Sequence, residues 1–131
     1  MQEIAKNIQI EDQFPGVTLG VIVTQRGLIQ IDAAVVNPRT DSPSLNLGGG
    51  MERVLINLDA HPDRTLGARA MDCTVIAHEK TANTFRTRPS TFKAQGEETG
   101  SDWESIAGLG SVRWAPPEIS FLDQMTLHWS D

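Results

Sequence analysis

The sequence predicts one α/β domain in which strands and helices form layers. Between residues 53 and 85, apolar β-branched runs alternate with helical segments in the order strand, helix, strand, helix. The chain has 131 residues, which is enough for one domain with its own core, so we take residues 1–131 as a single domain. Hydrophobic residues make up 39% of the chain and charged residues 21%, as is ordinary for a globular protein.

The first part of the chain predicts a β-hairpin. Residues 17–24 form a β-branched run that follows a Pro-Gly turn pair. A Gln-Arg-Gly turn then leads into a second run at residues 28–34. Residues 7–10 are the candidate for an edge strand beside this hairpin. Residues 37–50 contain two prolines and three successive glycines, which predicts a loop.

The next part predicts two units of a strand followed by a helix. Residues 53–58 are the third clear strand, and residues 65–71 are typical of a short helix whose apolar positions pack inward. Residues 73–77 form a further apolar run, and a helix is expected to begin within residues 79–85. Parallel strands joined by such helices are typical of α/β domains.

The last part predicts an excursion and a closing hairpin. Residues 86–116 are polar and rich in glycine, so we expect a long segment outside the core with one short helical stretch at residues 102–107. The tryptophans in this excursion either anchor a small satellite core, which we favour, or cover a substrate. Residues 118–122 and 125–129 predict a second hairpin.

Composition excludes several classes of function. The formal net charge is −6, and no cluster of Lys and Arg is present, so we expect no nucleic-acid partner. Cys73 is the single cysteine, which excludes an internal disulfide and a multi-cysteine zinc site and suits a cytoplasmic location. No run approaches the roughly 18 apolar residues that span a bilayer, and the N-terminus lacks an apolar signal core, so we expect no membrane association.

Residues 59–64, Asp-Ala-His-Pro-Asp-Arg, are the main candidate for a functional site. They place possible metal ligands at alternate positions, Asp59, His61 and Asp63, directly after an apolar strand. Carboxylates and imidazoles at such a position are costly to bury unless they are paired or metal-bound. The two-residue spacing directs Asp59 and His61 to the same side of an extended segment.

The order and spacing of these elements resemble the N-terminal half of the metallo-β-lactamase fold. A hairpin ends in an Ile-Asp step, here at residues 31–34. A strand then leads into residues 59–67, which are similar to the family's His-x-His-x-Asp-His-x-Gly-Gly motif. A later strand ends in Ala77-His78, as in the family. The resemblance extends from about residue 7 to residue 131 and implies roughly half of an αβ/βα sandwich, with a mixed sheet and flanking helices.

The resemblance implies a metal-dependent hydrolase that acts on a small-molecule substrate. Asp59 and His61 would bind a metal, and Asp63 would bind the metal or orient the attacking water as the catalytic residue. Zinc is the implied metal, with at most one ion held by this chain, or none. The resemblance also implies supporting or structural roles for three further residues: Asp32, Arg64 and His78.

The motif departs from the family pattern, which leaves alternatives open. Asp59 replaces the first histidine, and Arg64, which cannot coordinate a metal, replaces the fourth. One alternative is therefore a catalytically degenerate, metal-free relative that serves as a binding or scaffold subunit. A second alternative concerns the cluster alone: Asp63 caps a helix at residues 65–71, and Asp59 forms an ion pair with Arg64.

Half of a sandwich would expose strand edges and one apolar face of the sheet. Such surfaces favour association. We therefore expect either a homo-oligomer or a C-terminal half that this sequence does not include.

Overall fold

A mixed seven-stranded sheet is the centre of the molecule. The computed structural model describes residues 2–14, 16–35, 52–71, 73–91, 100–106 and 108–129. The strands are β1 (Gln2–Ala5), β2 (Ile8–Glu11), β3 (Leu19–Val23), β4 (Gly27–Ile31), β5 (Glu52–Asn57), β6 (Thr74–His78) and β7 (Ile119–Phe121). The helices are α1 (Pro62–Thr65) and α2 (Glu79–Thr87), with 3-10 turns at Leu66–Ala70, Asp102–Ser105 and Leu109–Ser111.

The strands lie in the sheet in sequence order, from β1 at one edge to β7 at the other. β1 to β4 form an antiparallel meander, and β4 to β7 run parallel to one another. In the parallel part, the carboxyl ends of the strands meet at one edge of the layer. Ligand sites in parallel sheets form at this edge. Asp32 follows β4 there, Asp59 follows β5, and His78 ends β6.

One face of the sheet packs against the helical segments. Leu55 of β5 and Val75 of β6 are adjacent in the parallel register and are both buried. They pack with Ala68, which lies in the first 3-10 turn, and with Met71, which follows that turn. Gln30 is also buried on this face, where its amide donates to the Asp32 carbonyl and its oxygen accepts from Arg53. Its polar atoms are therefore paired inside the core.

The structure confirms the fold class and most of the predicted elements. The hairpin of β3 and β4, the parallel strands β5 and β6, and helix α2 all form close to their expected positions. Residues 37–50 lie outside the described residues. In the part of the chain that is described, no helix is long and apolar enough to cross a membrane.

Besides the closing hairpin, three sequence-based expectations about elements were wrong. β2 is not at the sheet edge, because β1 pairs with it on its outer side. All four residues of β1 are exposed. The helix expected at residues 65–71 begins earlier, at Pro62, since proline is favoured in the first turn. The excursion also contributes to the core, where Trp103 and Trp114 are buried with Phe85 of α2. The satellite-core role favoured for these tryptophans is confirmed.

The closing hairpin forms only its first strand. β7 pairs in parallel with β6, and residues 122–129 have no strand assignment. Trp129 lies beneath the guanidinium of Arg26, with 4.3 Å between the guanidinium carbon and the ring centroid. Arg26 is in the turn between β3 and β4, far from β7 in the strand order. The segment after β7 therefore runs away from that strand, and an antiparallel partner does not form.

Candidate functional site

The loop between β5 and α1 is held in place by hydrogen bonds to its backbone. The Leu58 amide donates to Asp32 Oδ1 at 3.0 Å, and the Ala33 amide donates to the Arg64 carbonyl at 2.8 Å. The Thr65 hydroxyl donates to the His61 carbonyl at 2.7 Å. These bonds pair polar groups of the loop and of α1 with the residues that follow β4, and they pair the loop with α1. The loop is therefore fixed at both ends by its neighbours.

Asp32 occupies a position that few residues adopt. Its φ is 61°, in the left-handed region where Asp and Asn are more frequent than other non-glycine residues. Its side chain is buried. Burial raises the pKa of the Asp32 carboxyl, the negative charges of Asp59 and Asp63 add to that effect, and the Leu58 amide and the Arg64 charge oppose it. Asp32 thus supports the loop through one oxygen while its charge is disfavoured.

Asp59 is the centre of an ion-pair cluster. Its Oδ2 atom lies 2.7 Å from His61 Nδ1 and 2.9 Å from an Nη atom of Arg64. Its Oδ1 atom accepts the His61 amide at 2.9 Å. Partial burial disfavours the charged form of Asp59, but the hydrogen bonds and the charges of His61 and Arg64 outweigh it and lower its pKa. The Asp59 carboxyl is therefore ionised, and each of its two oxygens has a partner within the protein.

The cluster is open to solvent on the histidine side. The side chain of His61 is 71% exposed, whereas that of Asp59 is 31% exposed. His61 Nδ1 faces Asp59, while most of the side chain is in contact with solvent. A ligand approaching from solvent would therefore meet His61 before Asp59.

A cleft of about 480 Å³ lies beside the cluster. Asp32 and Arg64 line it together with Phe14, Val17 and Leu58. Its wall is therefore partly charged and partly apolar. Its volume lies within the range of small-molecule sites.

Asp63 faces a different neighbour from Asp59. A Cβ atom built on Gly16 would lie 3.4 Å from Asp63 Oδ2 and 3.0 Å from a ring carbon of Trp103. The segment around Gly16, another lining residue of the cleft, thus lies directly against Asp63. Gly16 has a φ of +84°, which glycine adopts without strain.

The alternative in which Asp63 caps a helix and Asp59 pairs with Arg64 holds only in part. The ion pair between Asp59 and Arg64 is present. The cap is not, because α1 begins at Pro62 with His61 at the N-cap, and no side chain caps it. Asp63 lies in the first turn of α1, where its charge still interacts favourably with the helix dipole.

His78 connects β6, α2 and the end of β7. Its Nδ1 atom accepts the Lys80 amide at 3.0 Å, so the proton of the neutral ring is on Nε2. Nε2 lies 2.5 Å from the Leu122 carbonyl oxygen, to which it donates. The ring also meets Phe121 edge to face, with 5.5 Å between centroids. Both nitrogens of His78 are therefore engaged in structural contacts.

The residues present do not by themselves make up a complete metal centre. A catalytic zinc site needs three protein ligands and an open position. Asp59 and His61 are two suitable donors in contact with each other. Among the described residues, however, no group of three or more His, Cys, Asp or Glu side chains could hold a metal ion. The guanidinium of Arg64 also lies where it would repel a cation near Asp59.

Two residues that support the site were not identified from the sequence. Arg88 donates to the Ala60 carbonyl at 3.0 Å, and Gly16 lies close to the Asp63 carboxyl. Arg88 is 28 positions from its acceptor, so no local pattern connects them. The Pro-Gly pair at Gly16 did predict a turn, but a turn signal does not indicate what the turn packs against.

No protein-family profile matches the sequence, and no curated protein matches it significantly. Among solved structures, a motif variant of the metallo-β-lactamase from Cronobacter sakazakii matches 92% of this chain and 45% of its own, with 21% identity and a TM-score of 0.54. The subclass B3 metallo-β-lactamase of Bradyrhizobium japonicum matches the same shares, with 20% identity and a TM-score of 0.54. Another B3 metallo-β-lactamase, described as having an active-site glutamic acid, has 19% identity and a TM-score of 0.54 over 90% of this chain and 43% of its own.

These matches include nearly all of this chain but less than half of each solved structure. At such identities the likeness concerns the fold. The chain therefore has the fold of about half of a metallo-β-lactamase.

Proposed function

We propose that this chain carries part of the site of a metal-dependent hydrolase. The observation that supports the proposal most is the contact between Asp59 and His61 at the carboxyl end of β5, beside a cleft of about 480 Å³. A carboxylate and an imidazole are both zinc ligands. The remaining ligand would come from outside the described residues. Zinc is the metal we propose, with one ion at most held by this chain.

The solved structures support a departure from the histidine motif. The Cronobacter sakazakii protein is described by a HARLDQ motif, which has Ala second and Asp fifth, as residues 59–64 of this chain do. The third residue of the unmodified motif is Arg, so a cation within the motif occurs in a protein of this fold, whereas the motif variant has histidine there. Another matched protein has an active-site glutamic acid, which makes a carboxylate at such a site chemically reasonable. Asp59 and Arg64 are therefore compatible with the proposal.

The roles of this chain's residues follow from their contacts. Asp59 and His61 would bind the metal, and Asp63 would orient the attacking water. Arg64 lines the cleft with its side chain 42% exposed, so it can attract an anionic group of a substrate. Asp32 holds the backbone of the loop through Leu58. The substrate would be a small molecule with a hydrolysable ester, amide, thioester or phosphodiester bond.

Zinc titration by calorimetry tests the proposal. We expect one weakly bound zinc per wild-type chain. His61→Ala should weaken binding by about tenfold or more, as loss of a ligand or of its partner does. Asp59→Asn should do the same, since it removes the charge while its amide oxygen can still accept the His61 backbone N–H.

His128→Ala is the matched control. His128 is an exposed histidine in the segment after β7, outside the loop. Zinc binding should be unchanged in this variant. Equal loss in the His61 and His128 variants would indicate nonspecific histidine binding, and absence of stoichiometric zinc in the wild type would contradict the proposal.

A metal-free binding or scaffold subunit is the second candidate. The contacts of Asp59 with His61 and Arg64 favour it, because they pair the carboxylate oxygens without a metal. This candidate predicts that chelator leaves the thermal midpoint unchanged and that zinc does not raise it. A zinc-dependent rise that disappears in His61→Ala would argue against this candidate.

A further inference from the structure

Arg88 connects the loop after β5 to a cluster of aromatic side chains. It follows the last turn of α2, and its backbone amide donates to the Thr84 carbonyl at 3.1 Å. One Nη atom of its guanidinium donates to the Ala60 carbonyl at 3.0 Å. Ala60 lies between Asp59 and His61 in the chain. The hydrogen bond therefore fixes the backbone at the middle of the candidate site.

The aromatic cluster holds the guanidinium in place. Its central carbon lies 4.4 Å from the centroid of the Trp114 ring and 5.2 Å from that of Phe85. These two rings are stacked on each other, with 5.7 Å between centroids and 15° between planes. Both rings are buried, and the Trp114 indole donates to the Pro89 carbonyl at 2.8 Å. A planar cation stacked on fixed rings loses little further freedom when it forms a hydrogen bond.

We propose that Arg88 is a positioning residue for the candidate metal site. It holds the Ala60 carbonyl so that Asp59 and His61 remain in contact on one side of the loop. Arg88 directly follows α2, a helix that supplies no proposed ligand. Its hydrogen bond acts on the site through the backbone of the loop. The inferred effect of Arg88 on metal binding rests on the proposed function. Its inferred effect on the loop does not depend on that function.

Substitution of Arg88 tests the inference in two ways. Arg88→Met keeps an unbranched apolar side chain over the rings and removes the hydrogen bond. Arg88→Lys keeps a positive charge and a donor, without the planar group that stacks. Arg86→Met is the matched control, since Arg86 is an exposed arginine of α2 whose partners are Glu79 and Asn83.

The first readout is amide hydrogen exchange of the metal-free protein. In Arg88→Met we expect exchange within residues 58–65 to become about tenfold faster, including at the His61 amide, because a charge-assisted hydrogen bond is lost. Arg88→Lys should show a smaller increase, and Arg86→Met none. Unchanged exchange in this loop would overturn the inference. An equal increase in β5 and β6 would also overturn it, since that would indicate a general loss of stability.

The second readout is zinc affinity. If the wild type binds zinc, Arg88→Met should weaken binding by about tenfold and Arg88→Lys should restore part of it, as for residues that orient metal ligands. A loosened loop with unchanged zinc affinity would overturn the positioning role. If the wild type binds no zinc, the proposed function fails, and hydrogen exchange alone decides whether Arg88 positions the loop.

Discussion

Asp32 illustrates how a single residue can be unfavourable by itself and useful to its surroundings. Its left-handed φ and its buried carboxyl both carry a free-energy cost. In return, its backbone amide donates to the Ile56 carbonyl at 2.9 Å, and its Oδ1 accepts the Leu58 amide. These bonds align the end of β4 with the end of β5. The residue thus fixes the start of the candidate loop.

Asp32→Asn should change how stability depends on pH. The raised pKa of Asp32 means that the folded protein keeps its proton at pH values where the unfolded chain has lost it. Its contribution to stability therefore falls as pH rises from about 4 through the raised pKa. Asparagine tolerates the same φ and offers the same acceptor, but it does not ionise. We expect the variant to gain stability relative to wild type across this window.

Urea unfolding between pH 3 and pH 7 would measure this difference, with Asp59→Asn as the comparison. The pKa of Asp59 is lowered, so the stability that this residue contributes is present above about pH 4 and is lost as pH falls. The two variants should therefore differ from wild type in opposite directions. Parallel curves for wild type and Asp32→Asn would contradict the assignment.

At this residue scale, the sequence indicated which side chains belong to the loop but not how they pair. The alternation of Asp59 and His61 correctly predicted that both lie on one side, where they contact each other. The Asp59–Arg64 pair was one of two alternatives for that carboxylate. Asp63 could not be placed, because tertiary packing brings its neighbour Gly16 to it.

Gly67 shows at the element scale how closely the segment after α1 approaches the sheet. A Cβ atom at this position would overlap the Ala34 carbonyl oxygen and approach that of Ala33. The 3-10 turn that contains Gly67 therefore lies directly on the backbone that follows β4. This contact and the Ala33–Arg64 hydrogen bond together fix α1 against the end of the sheet.

Gly67→Ala should destabilise the protein by about 3 kcal/mol, because the backbone must move to remove the overlap. Gly20→Ala is the control, since a Cβ there would meet only side-chain atoms of Ile31 at 3.3 Å, and we expect a loss of about 1 kcal/mol or less. Urea unfolding of both variants provides the comparison. Equal losses in the two would argue against the close approach as the cause.

Element boundaries were predictable where local chemistry determines them. Pro62 could have indicated the start of α1, since proline suits the first turn of a helix. β1 could not be identified, because its four exposed residues form no apolar run and gain their strand conformation from pairing with β2. The second strand of the closing hairpin was predicted from its local pattern but does not form. Its alternating pattern fits a strand, but its terminal Trp129 packs with Arg26 elsewhere.

At the scale of the whole molecule, the fold was predictable because it depends on the order and spacing of the elements. A hairpin, a strand leading into a polar loop, and a further strand and helix occur in few arrangements. The same order is compatible with an active or an inactive site, so the sequence predicted the fold better than the chemistry. The chain also matches less than half of each related structure, which leaves its partners open.

Exposed apolar side chains near the last strand lead to a prediction about assembly. Ile119, Leu122 and Met125, which we call the β7 surface, are 42%, 73% and 40% exposed. Among the described residues, β7 is also an edge strand of the sheet, and edge strands favour pairing with another chain. We therefore expect the purified chain to self-associate, with a second copy covering the β7 surface.

The double variant Leu122→Ser/Met125→Ser should weaken this association by about tenfold or more, since burial of one large apolar side chain contributes roughly 1.5–3 kcal/mol. Leu58→Ser is the control, because Leu58 is 63% exposed but lies beside the cleft after β5. Sedimentation velocity over a range of concentrations would measure the dissociation constant of each variant. A monomeric wild type would contradict self-association and direct the search to a different covering chain. Equal weakening by Leu58→Ser would place the interface at the cleft.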